Sequence, residues 1–471
     1  MNQLTGRKSE LRELERCWHS NRSEFVVVYG RRRIGKTFLI RSYAKDNFSF
    51  SYVGVRGLSS GQQLQNFSYA LQQHSQSALT PSVKNWLEAF RRLQELLSAQ
   101  TGRKIVFIDE LPWMDSPASG FINALENFWN GWAAFRDDIC LIVCGSATSW
   151  MTDKLIYNKD GLHNRVTSQI YLRPFTLAET EEYLEASGCH WDRMQITQCY
   201  MAMGGVPYYL SLIHPEQSLA QNIDRLYFHK NSELREEFGE LYHSLFKNAS
   251  HYIDAVRILS AHREGMTRQE ISQKLKLTGS SLTKLLSDLE RCDFILGYKH
   301  FGNKKNNVIY RLTDFYTLFY FRFVADDRSQ DENWWETNKN KPAVLVWQGL
   351  TFELICMLHL SQIKRALGIN GISTATSSWR GSVEDKKYQI DIVIDRDDRI
   401  INLCEIKFSV APFVIDKAYG EYLRERMGWF KAETKTRKSP VVTMITTYGV
   451  VQNKHSGVVQ NEVMLDDLFC Q

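Results

Sequence analysis

The sequence lacks any ordered use of cysteine, any long hydrophobic run and any strong excess of charge. Its nine cysteines are scattered over 471 residues without a C-x-x-C pair. That excludes the spacing of a secreted disulfide scaffold and predicts reduced core thiols in a cytoplasmic protein. The apolar runs, such as Ile105 to Ile108 and Leu141 to Val143, are strand-sized. They fall far short of the roughly eighteen residues a membrane helix needs, so no membrane partner is expected. Met1 to Lys8 is polar, without the apolar core of a signal peptide. No low-complexity tract appears, and an apolar content of 43% predicts a globular chain throughout. A net charge of +5 permits a nucleic-acid partner without arguing for one. The length exceeds one ordinary core, so roughly two to four domains are expected.

Against this plain background one stretch stands out, Gly30-Arg31-Arg32-Arg33-Ile34-Gly35-Lys36-Thr37. It follows the apolar run Phe25 to Tyr29 and leads into Phe38-Leu39-Ile40-Arg41, which can continue as a helix. This is G-x-x-x-x-G-K-[ST] between a buried strand and a helix N-terminus. The two glycines let the backbone curl so that successive N–H groups point at a polyphosphate, and the helix dipole adds positive charge there. Lys36 would reach the β- and γ-phosphates and the Thr37 hydroxyl would ligate Mg²⁺.

Further along, Lys104 to Trp113 reads as a buried strand with Asp109 and Glu110 at its C-terminal end, where open α/β sheets carry their active groups. Asp109 would hold Mg²⁺, and Glu110 would orient and deprotonate the attacking water. The strand Ile139 to Val143 ends in Cys144-Gly145-Ser146-Ala147-Thr148-Ser149. Here Ser146, or else Thr148, would contact the γ-phosphate or the water; a helix-capping cluster is the alternative. Arg165 is either an arginine finger, in cis or across a subunit boundary, or a surface arginine.

Thr5-Gly6-Arg7 before a first helix, the GRRRIGKT loop, the FIDELPWM strand and the CGSATSW strand together resemble AAA+-related P-loop ATPases. More specifically they are similar to the archaeal-type ATPase family near the STAND and Orc/Cdc6 branches. The resemblance implies ATP and Mg²⁺ as ligands, Asp109 and Glu110 as the Walker B pair, Ser146 at the sensor-1 position and Arg165 as a finger candidate. Gly204-Gly205-Val206-Pro207 matches the GxP motif of a STAND-like lid, whose proline would pack on adenine. No arginine stands beside that motif as a sensor 2, which favours a switch over a hexameric motor.

The expected architecture is α/β, in five parts. A P-loop ATPase core spans 1–175 and a helical lid 176–246, opened by a capping box at Thr176 and Glu179. A winged helix-turn-helix spans 247–325, with helices at His251 to Ala261, after Thr267, and at Gly279 to Leu289, then short strands flanking a basic turn. Ser280, Ser281, Thr283 and Lys284 would read DNA, with Lys304 and Lys305 on phosphates; packing against protein is the alternative use. A linker follows at 326–342, then a last domain at 343–471.

That last domain carries Glu353 on an apolar helix, Asp391 on one strand, and Glu405 and Lys407 on the next. Strand alternation puts Glu405 and Lys407 on one face beside Asp391. Carboxylates converging there are costly to bury without a cation, and with Mg²⁺ they would make a phosphodiesterase site. The order resembles the PD-(D/E)xK nuclease fold. That resemblance implies Asp391, Glu405 and Lys407 as the catalytic triplet and Glu353 as the helix carboxylate, with Ile390 standing where a proline is usual. The expected function is a Mg·ATP switch ATPase governing a DNA-binding, nuclease-like domain. The alternative is a regulatory or scaffold ATPase whose nuclease-like domain is inactive. Homo-oligomer formation is left open.

Overall fold

The run Glu24-Phe-Val-Val-Val-Tyr29 forms strand β1 and is buried over nearly its whole length. Such a continuous apolar strand is stable only with both sheet faces covered, as in parallel α/β sheets. The computed structural model describes residues 4–75, 82–157, 161–162, 164–246, 248–302, 308–383 and 386–470. They fall into two compact units, Met1–Pro174 with His243–Lys247, and Phe175–Tyr242 with Asn248–Gln471.

In the first unit, β1 joins β2 (Phe50–Val53), β3 (Lys104–Asp109), β4 (Ile139–Gly145) and β5 (Ser168–Tyr171). The order is β2-β3-β4-β1-β5 and every pairing is parallel. Helices α1 (Lys8–Trp18) and α2 (Lys36–Ala44) pack through Leu14, Leu39 and Ile40 on one face. On the other face α3 (Ser60–His74), α4 (Trp86–Ser98) and α5 (Phe121–Gly131) pack through Phe67, Trp86, Phe90 and Phe128. A short helix α6 (Thr148–Met151) follows β4. The ends of β1, β3 and β4 therefore lie at one edge of the sheet.

The second unit opens with α7 (Leu177–Ala186), capped by the Thr176–Glu179 box, then α8 (Arg193–Met203), α9 (Pro207–Leu210), α10 (Leu219–Ile223) and α11 (Glu233–Leu245), whose residues from His243 on belong to the first unit. Next come α12 (Ala249–Ser260), β6 (Met266–Thr267), α13 (Arg268–Leu275), α14 (Gly279–Arg291), β7 (Ile295–Tyr298) and β8 (Ile309–Leu312). The three strands form an antiparallel sheet in the order β6-β8-β7. Ser280, Ser281, Thr283 and Lys284 lie on the exposed side of α14, while Lys304 and Lys305 lie outside the described residues.

Beyond α15 (Phe315–Phe319), the stretch expected as a linker contains a helix, α16 (Trp334–Asn338). Asp224 accepts the amides of Trp335 and Glu336 at 2.6 and 3.0 Å, and Trp335 is buried against Phe319 and Trp347. Its polar sequence conceals this because the buried content is one indole and one borrowed cap.

Helices α17 (Pro342–Leu358) and α18 (Leu360–Ala366) precede a mixed sheet. Its strands are β9 (Thr374–Val383), β10 (Lys386–Arg396), β11 (Ile400–Lys407), β12 (Ser439–Thr446) and β13 (Val459–Met464). The order is β13-β12-β11-β10-β9, antiparallel from β9 to β11 and parallel from β11 to β13, with α19 (Lys417–Thr434) as the crossover. Among the described residues no single helix is long and apolar enough to cross a membrane.

Candidate functional site

The loop after β1 is shaped by backbone constraints that its glycines meet. Gly30 has φ 144°, and a Cβ there would lie 2.3 Å from the Leu172 carbonyl oxygen and 2.6 Å from Ile34 Cδ1. Gly35, at φ 84°, occupies the left-handed position before α2. Lys36 is buried, its ammonium donating to the carbonyls of Gly30 and Arg31 at 2.9 Å each. Arg31 and Ile34 are buried, Arg32 and Arg33 half-buried, and Phe38 is exposed. A contact that sequence reasoning missed steadies the loop from outside. Arg7, buried at the start of α1, donates to the Ile34 carbonyl at 3.2 Å. Its place in Thr5-Gly6-Arg7 was the available signal.

The carboxylates from β3 meet this loop. Thr37 Oγ1 donates to Asp109 Oδ2 at 2.6 Å, while Asp109 Oδ1 accepts the Glu110 amide at 2.8 Å and the Cys144 thiol. Glu110 sits in the left-handed region, φ 49°. Its Oε2 accepts from Ser146 Oγ at 3.0 Å and from the Ser146 amide at 3.3 Å. The structure thus brings Lys36, Thr37, Asp109, Glu110 and Ser146 together. Thr148 Oγ1 is buried, and Ala147, not Ser146, precedes α6 without a side-chain cap. A hydroxyl beside a carboxylate is an oxygen donor pair that fits a hard divalent cation. Arg165 is exposed in the same unit. Pro207 belongs to the second unit, where it starts α9 behind Gly205; at φ 62° a Cβ on Gly205 would lie 2.3 Å from the Phe175 carbonyl oxygen.

A parallel sheet with a phosphate loop after one strand and paired carboxylates ending another defines a P-loop nucleotide-hydrolysing protein. Comparison with known proteins narrows the class. Residues 4–213 match the family model described as an ATPase domain predominantly from Archaea. The chain is an ATPase, and this part of it is similar to that archaeal-type domain. It is 26% identical over 368 residues to the uncharacterized protein MJECL04 of Methanocaldococcus jannaschii, covering 76% of this chain and 77% of that one. A 43-residue stretch is 48% identical to the uncharacterized ATP-binding protein MJ0423 of the same organism, covering 9% of this chain and 73% of that one. In fold the chain is similar to the Walker-type ATPase PABY2304 of Pyrococcus abyssi, with a TM-score of 0.50 and 18% identity, over 68% of this chain and 96% of that one.

The second unit holds a separate acidic group. β10 and β11 pair Ile392 with Cys404, so Asp391 and Glu405 follow at the adjoining positions. The β9–β10 ladder shifts register between Ile390 and Val393, and such bulges re-aim side chains. Glu353 of α17 and Asp391 line one small cavity. Burial, then the neighbouring Asp391, push the Glu353 carboxyl up to about 7. Burial, then Glu405, raise that of Asp391.

Glu405 is buried but charged. Against the burial that would raise it, the Arg426 guanidinium and the Lys407 ammonium hold it below the usual range. Its Oε2 accepts from Arg426 at 2.5 Å, and its Oε1 from Tyr419 at 2.5 Å and Lys407 at 3.0 Å. Arg426 also donates to the Gln389 carbonyl at 2.9 Å, and Gln389 Nε2 to Asp391 at 3.0 Å. Glu353 and Asp391 are a donor pair suited to a divalent cation. Glu405 has both oxygens engaged, and among the described residues no group of three or more His, Cys, Asp or Glu is arranged to hold a metal ion. Arg426 and Tyr419 left no sequence signal, because they reach Glu405 from a helix rather than from its own hairpin.

Proposed function

We propose that Mg·ATP turnover in the first unit is a switch, and that the second unit is a DNA-binding, nuclease-like assembly under its control. In this reading Thr37 and Asp109 hold the magnesium ion, which when bound would neutralise phosphate charge. Lys36 bears on the β- and γ-phosphates. Glu110, aimed by Ser146, orients the water and takes its proton. Arg165, exposed, serves as a finger toward a neighbouring copy, and Pro207 packs on adenine as part of a lid over residues 176–246.

Residues 247–325 act as a winged helix with α14 and the wing toward DNA. The sheet β9–β13 with α17 acts as a PD-(D/E)xK-type domain. The observation that carries the nuclease-like half is Glu353 and Asp391 lining one cavity beside the β9–β10 register shift, with Glu405 and Lys407 on the adjoining strand. Glu353 and Asp391 would hold a divalent cation there, which would polarise a phosphodiester; Lys407 positions the water.

The test is nicking of plasmid DNA with Mg²⁺ or Mn²⁺, with and without ATP, against an Asp391→Ala control. Metal-dependent nicking lost in the control supports the reading, and no nicking under any condition refutes its nuclease half. A second reading, a regulatory or scaffold ATPase working through protein contacts, is favoured by the engagement of both Glu405 oxygens by Arg426, Lys407 and Tyr419. That reading requires ATP hydrolysis without any cleavage.

A further inference from the structure

The cavity shared by Glu353 and Asp391 is walled by residues from two parts of the second unit. Arg263, Glu264, Tyr298 and Arg311 come from the segment carrying α12 to β8, and Ser378 and Arg380 come from β9. Its free space suits a water molecule, whereas a phosphodiester needs several times that volume. Arg263, exposed, and Arg311 and Arg380, half-buried, share this wall with the two carboxylates, bringing guanidinium groups to a place where acidic groups are costly to bury unpaired.

The wall is fastened. Arg380 Nη1 pairs with Glu264 Oε2 at 2.7 Å, with both side chains partly exposed. The backbone after β7 adds a parallel bridge to β9 at His300 and Ser378. The Phe301 amide donates to the Ser378 carbonyl at 2.7 Å, and His300 Nδ1 lies 2.7 Å from Ser378 Oγ. Phe301 packs at a tilt against Phe430 of α19, with ring centroids 5.0 Å apart. Arg311 Nη1 meets Met357 Sδ on α17, the helix that carries Glu353.

We infer that the segment from α12 to β8 is an internal lock on the acidic site. Its Arg263 and Arg311 share the cavity wall with Glu353 and Asp391, and the Glu264–Arg380 pair with the Phe301–Ser378 bridge holds it closed. The inference deepens the proposed nuclease-like reading and rests on it for the meaning of opening. A nucleic-acid backbone reaches the acids only after this segment swings away, and a polyanion would itself compete for Arg263 and Arg311.

The experiment uses the full chain and three proteins: wild type, Glu264→Arg, and the swap Glu264→Arg with Arg380→Glu. Both substituted side chains are partly exposed, and the bond from Tyr298 to Glu264 uses the main-chain carbonyl, which the substitution keeps. Amide hydrogen exchange is read at Phe301 and at Ile390 to Ile392, and Mn²⁺-dependent plasmid cleavage is read beside it. Glu264→Arg is expected to speed exchange at these amides by about five-fold, an effect of the size partly exposed ion pairs produce, and the swap to restore it. Unchanged exchange in Glu264→Arg overturns the lock. Faster exchange with cleavage greater than wild type supports both lock and nuclease. Faster exchange without cleavage in any protein supports the lock and refutes the nuclease. Wild type cutting as fast as Glu264→Arg overturns the lock and leaves the nuclease standing.

Discussion

In the proposed reading hydrolysis turns on Glu110, and its surroundings allow the effect of losing it to be worked out. A positioned general base supplies about 10²- to 10⁴-fold in rate. At 1.36 kcal/mol per decade that is about 3–5 kcal/mol of transition-state stabilisation. Glu110→Gln keeps the side-chain shape, and the amide oxygen still accepts from Ser146 Oγ and its amide, at 3.0 and 3.3 Å in the wild type. Lys36, Thr37 and Asp109 are untouched, so ATP affinity should stay within about two-fold while turnover falls by at least about a hundred-fold.

Ser146→Ala removes one of the two bonds aiming the carboxylate and leaves the backbone amide. A hydrogen bond to a charged group contributes about 1.5–3 kcal/mol, so roughly ten-fold in turnover is expected after the remaining bond is allowed for. In the double variant Ser146→Ala should add almost nothing, because it acts through Glu110. Phosphate release under saturating ATP and equilibrium binding of a fluorescent ATP analogue measure the two quantities. Turnover unchanged in Glu110→Gln, or a fully additive double variant, would refute the reasoning.

Gly30→Ala should abolish nucleotide binding rather than slow hydrolysis, since its Cβ would lie 2.3 Å from the Leu172 carbonyl; an ATP-binding titration with near wild-type affinity would contradict this. A pH dependence is expected from His359, buried at the end of α17. Its Nε2 accepts the Leu177 amide at 3.1 Å and its Nδ1 lies 2.9 Å from the Ile355 carbonyl, which requires a neutral ring. Burial holds its pKa down to about 4, against about 6.5 unfolded. The unfolded state therefore binds the extra proton between these values, and stability is lost as pH falls from about 6.5 to about 4, by about 3 kcal/mol in total. Denaturant unfolding across that range should show the slope in wild type and a flatter one in His359→Gln; equal slopes would rule the assignment out.

The residues that the ends of β1, β3 and β4 bring together were legible because their information is local. Gly30 to Thr37, Asp109-Glu110 and Ser146 each lie at the end of a buried parallel strand, and such strands announce themselves as unbroken apolar runs. The capping box at Thr176 was legible for the same reason, both partners lying within one turn. What could not be read were bonds made across elements. Arg7 on the Ile34 carbonyl, the Cys144 thiol on Asp109, and Asp224 capping α16 join residues far apart in the chain.

By itself, then, the sequence determined the parallel sheet, the glycine-bearing loop after β1 and the carboxylates that meet it, since these follow from strand burial and the backbone freedom of glycine. It also placed Asp391, Glu405 and Lys407 on neighbouring strands, through the period of two. Tertiary structure alone decided how those acids are held. Arg426 and Tyr419 engage Glu405 from α19, and Arg263 and Arg311 line the cavity that holds Glu353 and Asp391. A buried charge must find its counter-charge in three dimensions, and nothing in the local pattern of either partner records which one it will be.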